Sequence, residues 1–402
     1  MRVRFVSAIG AVAVVFAVAA VFKLTAVGVS GQAQSAAAKG KGGAALKTPW
    51  GDPDLQGIWT DEFDTPLQRN AKYGTKEFFT DAERKELDDA RIELMGRDKR
   101  VERGTELDVA GAYNAVFNSF KRTGRRTSLV VDPPNGRIPE RTPEAAKDAA
   151  EDRAFRVAML QATETCKSKS VACAGGKYDP TPSPRREERA PKYNVGRMNR
   201  HFNPEDGALA DRCMTGGLPE FGTAFGGSFR RIVQTPGGVT MFYDFGQGQG
   251  FQRNIVMNGS PHLPPSVRQW WGDSRGHWEG NTLVIDVTNF GPKVDFQGSR
   301  ENLHLVERWT RTGANTLEYE VKVDDPTVWK STWTVKQEFS KQSEQANRIY
   351  YEPRCYEGNI GYPSLMKSAR LAEKLYSEGK GPHPATADNA TDFVGVEENP
   401  LQ

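Results

Sequence analysis

The sequence predicts a mainly β protein with accessory helices (α+β), built on an antiparallel up-and-down β-barrel with a helical and loop-rich insertion. Turn residues such as Pro236-Gly237-Gly238 separate segments rich in β-branched and aromatic residues. Along residues 317–323, apolar and charged side chains alternate, which is typical of a strand with one buried face. Eight such strands close most simply into a barrel, because closure removes exposed sheet edges. We expect them at 229–235, 239–245, 251–257, 282–289, 303–311, 316–323, 331–339 and 347–354.

The N-terminal residues have the order of a secretory signal peptide. Arg2 and Arg4 precede an apolar run over residues 5–22, and small residues lead to Ala33. A retained membrane anchor is the alternative, because about 18 apolar residues can just span a bilayer. Lys23 and the small residues after it favour cleavage. The sequence therefore predicts a periplasmic or secreted protein with no membrane span after cleavage.

Composition and periodicity divide the chain into five predicted segments. Helix-start signals at Thr80, with Glu83 three residues later, and at Thr142-Pro143-Glu144 place two helices before the barrel. The segments are a signal peptide (1–33), a flexible leader (34–48), a helical and irregular region with a few strands that pack on the barrel (49–228), the antiparallel β-barrel (229–364), and a C-terminal helix and tail (365–402).

Charge and histidine spacing argue against nucleic acid and metal as partners. Signal cleavage removes three basic residues and no acidic one, so the formal charge falls from +3 to zero. A neutral chain with interspersed charges lacks the basic patch that nucleic-acid binding requires. Five histidines are scattered without an H-x-x-x-H pair, and the cysteines lack C-x2-C spacing. The sequence therefore predicts no metal site and no cofactor.

The four cysteines predict two disulfides, because an even number in an exported chain is typical of an oxidising compartment. Three pairings are possible. Cys166 and Cys173 are close enough in sequence to join a local turn, which leaves Cys213 to pair with Cys355. The second bond would connect the segment that enters the barrel to the segment that leaves it.

Glu307 is the first candidate for chemistry. Strand alternation places it with Leu305 and Trp309 on the apolar side of its strand. A carboxyl group enclosed in this way has a raised pKa, as a general acid or base requires, unless an arginine pairs with it. The candidate catalytic residues are Glu307, His262, Asp273 and Arg275. The alternative is a structural ion pair between Glu307 and an arginine such as Arg268, Arg275 or Arg311.

Six of the eight tryptophans lie between Trp270 and Trp333. Aromatic faces beside carboxylates and arginines suit planar, largely apolar ligands. The alternative is that these tryptophans fill the core and the ends of the barrel. The candidate ligand-binding residues are Arg268, Trp270, Trp271, Trp309 and Trp329.

The stretch from Gly272 to Gly276 matches the G-x-S-x-G motif of serine hydrolases, with Ser274 at its centre. That motif requires a strand before the serine and a helix after it. Here Trp270-Trp271 precede the motif and a strand follows, so we predict a turn and no serine nucleophile.

Two resemblances bear on the fold. The segments 54–59, 126–134, 262–290, 301–308, 324–326 and 355–359 together resemble a broad group of exported bacterial proteins without a dependable activity. Gly57-Ile58-Trp59 is similar to the first-strand G-x-W of the lipocalins, and this resemblance implies that Trp59 closes one end of a lipocalin-like barrel. In that family a late arginine packs over the tryptophan ring, a place that Arg348 or Arg354 could take. About 170 residues separate this tripeptide from the main strands, and the lipocalin pattern has no such long separation.

These observations lead to two functional hypotheses. The first is a small-molecule-binding protein whose barrel has an aromatic-lined mouth for an apolar or aromatic ligand. The second is a cofactor-independent enzyme, an isomerase, lyase or hydrolase, in which Glu307 acts as acid or base. His304 falls on the opposite strand face from Glu307, so His262 is the expected partner.

Overall fold

The structure is a computed structural model. It describes residues 46–61, 63–95, 121–170, 173–214, 216–221, 229–244, 250–342 and 360–388. The predicted signal peptide, the predicted leader up to residue 45 and the predicted strand at 347–354 lie outside these residues.

Short strands and capped helices precede the main sheet. Thr80 and Glu83 form the predicted capping box, in which each backbone amide donates to the side chain of the other residue. Thr142 Oγ1 caps the second helix by accepting from the Ala145 amide, and Pro143 occupies its first position. The elements are β1 (Gly57–Thr60), β2 (Phe63–Asp64), α1 (Asp81–Met95), β3 (Arg122–Thr123), β4 (Val130–Asp132), α2 (Pro143–Leu160) and α3 (Glu164–Lys167).

Eight longer strands follow, and a final helix comes after them. Seven of the eight begin and end within two residues of the predicted bounds, because their apolar alternation and turn residues are clear. The elements are β5 (Phe229–Thr235), β6 (Gly238–Asp244), β7 (Gly250–Val256), β8 (Asp273–Glu279), β9 (Thr282–Thr288), β10 (His304–Gly313), β11 (Thr316–Asp324), β12 (Trp333–Lys341) and α4 (Gly361–Ser377).

The barrel is closed by β1, a strand that the prediction left outside segment 229–364. β1 pairs antiparallel with β5 through Trp59 and Arg230, and with β12 through Trp59 and Lys341. Nine strands, β1 and β5 to β12, therefore form a closed wall, and β4 pairs with β12 beside it. The predicted mainly β barrel fold is confirmed, with nine strands in place of eight.

The predicted turn around Ser274 is wrong, because Ser274 lies within strand β8. Its residues include no β-branched side chain, so the sequence pattern concealed the strand. It forms because β9 supplies an antiparallel partner along its whole length, after a turn at Gly280. β7 and β8 are parallel neighbours, so the barrel is mixed and not purely up-and-down. A side chain at Gly276 would lie 2.6 Å from Ile255, so glycine permits this close approach.

The two ends of the barrel differ. Tight turns at Gly237, Gly280 and Asn315 join strands at one end, which we call the hairpin end. The connections 289–303 and 325–332 lie at the other end, which we call the loop end. Residues 257–272 run from the hairpin end back to the loop end, and this return makes β8 parallel to β7.

The core fills the inside of the wall. Alternate residues of each strand point inward and are almost fully buried, as in Leu317, Tyr319 and Val321 of β11. Trp309 of β10 stacks on Tyr319, with ring centroids 4.2 Å apart. Large aromatic side chains therefore occupy much of the interior.

Candidate functional site

A fully buried ion pair lies inside the barrel. Glu307 of β10 points inward, and its Oε2 lies 2.6 Å from Nη2 of Arg253 on β7. The exposed fractions of the two residues are 0% and 3%. The Tyr319 hydroxyl donates to Glu307 Oε1 at 2.8 Å. The interior position of Glu307 agrees with the strand alternation, and its ion-pair partner is Arg253 and not the predicted Arg268, Arg275 or Arg311.

Arg253 connects this pair to two further polar side chains. Its Nε donates to Ser274 Oγ at 2.8 Å, and its Nη1 donates to the Tyr243 hydroxyl at 3.3 Å. Burial lowers the pKa of Arg253, but Glu307 and Tyr243 together, through their charges and hydrogen bonds, outweigh burial and leave that pKa above its ordinary value. Burial raises the pKa of both Tyr243 and Tyr319, so both hydroxyls stay protonated and can donate.

Ser274 therefore has a structural contact in place of a catalytic one. It lies inside β8, and its side chain is buried and accepts a hydrogen bond from Arg253. A strand, not a helix, contains the residues after it. The geometry of a nucleophile on a strand-to-helix turn does not occur at Ser274.

A second polar group lies at the loop end, and we call it the loop-end polar cluster: Asp61, Lys121, Glu220, Arg230 and Gln337. Arg230 Nη2 donates to the backbone carbonyl and the carboxylate of Glu220. Lys121 Nζ lies 2.8 Å from Asp61 Oδ2. Gln337 Nε2 donates to the same Asp61 oxygen at 3.4 Å. These contacts form two groups, Arg230 with Glu220 and Asp61 with Lys121 and Gln337, and the charges of Arg230 and Glu220 act on the pKa of Asp61.

Aromatic rings flank the arginine of this cluster. The Arg230 guanidinium carbon lies 4.3 Å from the ring centroid of Phe339 and 5.4 Å from that of Tyr243. Arg230 itself has no exposed surface. Burial raises the pKa of Asp61 to about 6, although Lys121 and Arg230 act in the opposite direction.

Several polar atoms of the cluster have no hydrogen-bond partner within the described part of the chain. They are Nε and Nη1 of Arg230, Oδ1 of Asp61 and Oε1 of Gln337. Buried polar atoms normally have a protein or water partner, so four such atoms on three residues of one cluster are unusual.

The alternation that identified Glu307 could also have identified Arg230, Arg253 and Gln337, since each is a polar residue at an inward strand position.

The other predicted catalytic residues lie on the outer face of the wall, in what we call the outer His–Asp cluster: His262, Asp273, Arg275, Asp286 and His304. His262 Nδ1 lies 2.8 Å from Asp273 Oδ2, and its Nε2 lies 2.8 Å from Asp286 Oδ1. Arg275 binds both oxygens of Asp273 at 2.9 Å. His304 Nε2 lies 2.9 Å from Asp286 Oδ2.

The charges of this cluster shift the pKa values of its members. Burial raises the pKa of Asp273, but hydrogen bonds from Arg275, the Leu263 amide and His262 outweigh burial and leave it below its ordinary value. The pKa of Asp286 is also lowered, because hydrogen bonds from the two histidines outweigh its burial. The hydrogen bond with Asp286 raises the pKa of His304 above its usual range.

The structure thus brings His262, Asp273 and Arg275 together and separates them from Glu307. Asp286 pairs with Val306 in the sheet, so both side chains lie on the outer face, whereas Glu307 points inward. The expected partnership between His262 and Glu307 is not found, because the barrel wall lies between them.

The predicted ligand-binding tryptophans are distributed over separate contacts. Trp271 stacks on Phe251 at 3.6 Å between ring centroids and lies 5.2 Å from Tyr243, at the loop end. Trp329 packs against Trp333 at 5.4 Å, also at the loop end. The remaining predicted residues differ in burial: Trp309 lies in the interior, Trp270 is half-buried, and Arg268 is exposed and donates to the carbonyls of Phe290 and Glu301.

Trp59 of the G-x-W tripeptide is fully buried, and its Nε1 donates to the Leu55 carbonyl at 2.9 Å. The guanidinium over its ring belongs to Arg311, 5.5 Å from the ring centroid. Arg348 and Arg354, the residues predicted for this place, lie outside the described residues.

The cysteines and the helices bear on the predicted compartment. Cys166 and Cys173 form a disulfide, as the spacing predicted. Cys355 lies outside the described residues, so the predicted bond to Cys213 is not described.

Among the residues that the structure describes, no helix has both the length and the apolar character of a membrane crossing. Within the same residues, no group of three or more His, Cys, Asp and Glu side chains could hold a metal ion.

Comparisons with known proteins do not assign a family. No protein-family model matches the chain, and no curated protein matches it. Among solved structures, the chain is similar to a protein described as secretary abundant heat soluble (SAHS) from Ramazzottius varieornatus. The match has 14% sequence identity and a TM-score of 0.21, and it covers 29% of this chain and 72% of that chain.

Proposed function

We propose that this protein is an exported barrel that binds a small, largely apolar or aromatic molecule at its loop end. The observation that carries the proposal is the buried polar network of Arg253, Glu307, Tyr243 and Tyr319, which is enclosed by aromatic side chains. Apolar walls with a few converging polar groups are typical of small-molecule sites.

The energetics of buried charges support this proposal. Taking two charges out of water costs several kcal/mol per ion, and their mutual attraction does not always offset that cost. Replacing a buried pair by well-packed apolar residues is often neutral or stabilising. A barrel interior that served stability alone would therefore gain little from Arg253 and Glu307, whereas a binding interior gains selectivity from them.

Export is part of the proposal. The N-terminal order of basic, apolar and small residues supports it, and so does the Cys166–Cys173 disulfide, since disulfides persist in oxidising compartments. Detection of the mature protein outside the cytoplasm, with a new N-terminus after Ala33, would test this part.

Binding can be tested through tryptophan fluorescence and native mass spectrometry against libraries of hydrophobic, terpenoid and oligosaccharide compounds. We expect at least one apolar or aromatic compound to change the fluorescence and to bind one-to-one. Trp271→Ala should weaken that binding, because Trp271 packs on Phe251 and Tyr243 at the loop end. Trp50→Ala is the matched control, since Trp50 is partly exposed and its indole nitrogen donates to Asp52, two residues away. A complete absence of binding across the libraries would contradict the proposal.

A further inference from the structure

We infer that the loop-end polar cluster recognises an uncharged head group that both donates and accepts hydrogen bonds, such as a phenolic hydroxyl. This inference rests on the proposed function and names the class of ligand: an aromatic or apolar molecule with a neutral hydroxyl or amide group. The site is Arg230, which lies beside the rings of Tyr243 and Phe339, together with Asp61 and Gln337, which are hydrogen-bonded to each other.

The first argument is the hydrogen-bonding capacity of the cluster. Arg230 has two nitrogens, Nε and Nη1, without a partner among the described residues, and both can only donate. Asp61 Oδ1 and Gln337 Oε1 also have no partner there, and both accept. A head group that satisfies donors and acceptors together must itself contain both functions. A carboxylate only accepts, so it could bind Arg230 but would face the oxygens of Asp61 and Gln337 without a proton to offer.

The second argument is charge. Arg230 and Lys121 are already matched by Glu220 and Asp61 within the cluster. An anionic head group would add a buried charge to this balanced set, and an unpaired buried charge costs far more than a buried neutral group with hydrogen bonds. A neutral head group avoids that cost.

The third argument is the surface beside the cluster. The guanidinium of Arg230 lies over Phe339, and the Phe339 ring centroid is 5.9 Å from that of Trp309. Trp309 Nε1 is buried and has no partner among the described residues. The polar atoms are thus next to aromatic faces, which suits a head group carried on a ring.

The test uses three probes with the same methyl-substituted ring: p-cresol, toluene and 4-methylbenzoate. Isothermal titration calorimetry on the full chain at about pH 8 compares a neutral phenol, an apolar molecule and an ionised carboxylate. We expect p-cresol to bind at least about ten-fold more tightly than either of the others, since a hydrogen bond to a charged group is worth about that factor.

Substitutions locate the effect. Arg230→Met should reduce the affinity for p-cresol to that for toluene. Arg311→Met is the matched control, because Arg311 lies at the hairpin end, bonded to the carbonyls of Asp54 and Ala314. If near-ultraviolet circular dichroism shows that Arg230→Met does not fold, Gln337→Leu serves instead. It removes one acceptor and should weaken p-cresol binding while leaving toluene binding unchanged.

The outcomes separate the two proposals. Equal affinity for the three probes would mean that water satisfies the cluster, and tightest binding of 4-methylbenzoate would mean an anion site. Either result overturns the inference and leaves the binding function intact. Failure of all three probes, together with the compound libraries, would overturn both.

Discussion

Single buried residues determine the chemistry of this interior. Glu307 is held by one guanidinium and one hydroxyl, and Arg253 donates to Ser274 and Tyr243 with its other nitrogens. Arg253 Nη2 and Glu307 Oε2 have the ion pair as their contact, so each depends on the charge of the other. Removing one member leaves the other buried without its counter-charge, which costs more than removing both.

A double-mutant cycle tests this view of the ion pair. Glu307→Leu and Arg253→Met should each lower the free energy of unfolding by about 3–5 kcal/mol, because the remaining partner stays buried and unpaired. Arg253→Met combined with Glu307→Leu should recover much of that loss. Urea unfolding measures the free energy of unfolding of each variant. The control is Glu318→Gln on the outer face, beside Lys336, which should change that free energy by less than about 1 kcal/mol. Additive losses in the double variant would contradict the buried pair.

Asp61 makes a pH-dependent contribution. Its pKa rises from 3.8 to about 6 on folding, so its protonated form favours the folded state. The stabilisation is complete below the unfolded value of 3.8 and is lost as pH rises through about 6. The total change is at most about 3 kcal/mol.

The matching variant is Asp61→Asn, which cannot titrate. Relative to the parent protein, the variant should gain stability as pH increases from about 4 to about 7, measured by urea unfolding across this range. The contact between Lys121 and ionised Asp61 already contributes to the folded pKa of about 6, so its loss is part of the pH dependence that the comparison measures. Parallel pH profiles for the two proteins would show that Asp61 keeps an ordinary pKa.

At the scale of elements, the connection between β7 and β8 is the distinctive part. It returns along the barrel, and the outer His–Asp cluster fastens it to the wall. His262 from the connection contacts Asp273 and Asp286 on β8 and β9. Further along the connection, the side-chain amide of Asn289 donates to the carbonyls of Leu263, Pro264 and Val267. This connection carries Trp271 to the loop end, so the outer cluster positions a residue of the proposed binding site.

We expect the attachment of β10 to β9 in the outer His–Asp cluster to weaken as pH rises. Folding raises the pKa of His304, so its stabilising contact with Asp286 is complete below the unfolded value of 6.5 and is lost as pH rises through the higher folded value. Hydrogen exchange of β9 and β10 should show a free energy of local opening that falls over that window, by less than about 1 kcal/mol because His304 is partly exposed.

His304→Gln should reduce this pH dependence. His277→Gln is the control, because His277 contacts only Glu279 among the described residues, on the exposed surface. Equal pH dependence in the parent protein and in His304→Gln would show that His304 does not contribute to the attachment.

At the scale of the molecule, closure of the barrel depends on a four-residue strand far from the others in sequence. β1 joins β5 to β12, and Trp59 contributes a fully buried ring to the core. Arg311 and Lys341 lie beside that ring on the hairpin side. Without β1, the edges of β5 and β12 would be exposed.

Trp59→Ala should therefore destabilise the whole barrel. We expect a loss of about 3–5 kcal/mol in the free energy of unfolding, as for other large-to-small changes of buried aromatic residues, with a single cooperative transition. Trp50→Ala, at a partly exposed position before β1, should change it by less than about 0.5 kcal/mol. Chemical denaturation followed by circular dichroism measures both, and similar values for the two variants would contradict a central role of β1.

Local patterns in the sequence were sufficient for the mainly β class, seven of the strands, the capped helices and the Cys166–Cys173 disulfide. These features depend on neighbours within a few residues, such as alternation along β11 or the reciprocal cap of Thr80 and Glu83. The inward position of Glu307 followed from the same alternation. The same alternation placed Glu307 and Trp309 on one face of β10. It could not indicate Arg253 as the ion-pair partner, because Arg253 lies on a different strand.

Only the tertiary structure determined closure by β1, the parallel placement of β8 and the division of the candidate site between two faces of one wall. Each depends on contacts between residues distant in sequence, which local periodicity does not encode. His262 meets Asp286 and not Glu307 because the 257–272 connection passes outside the barrel. The charge of Arg230 acts on Asp61 because β1, which ends beside Asp61, pairs with β5, and that pairing arises only when the sheet closes on itself.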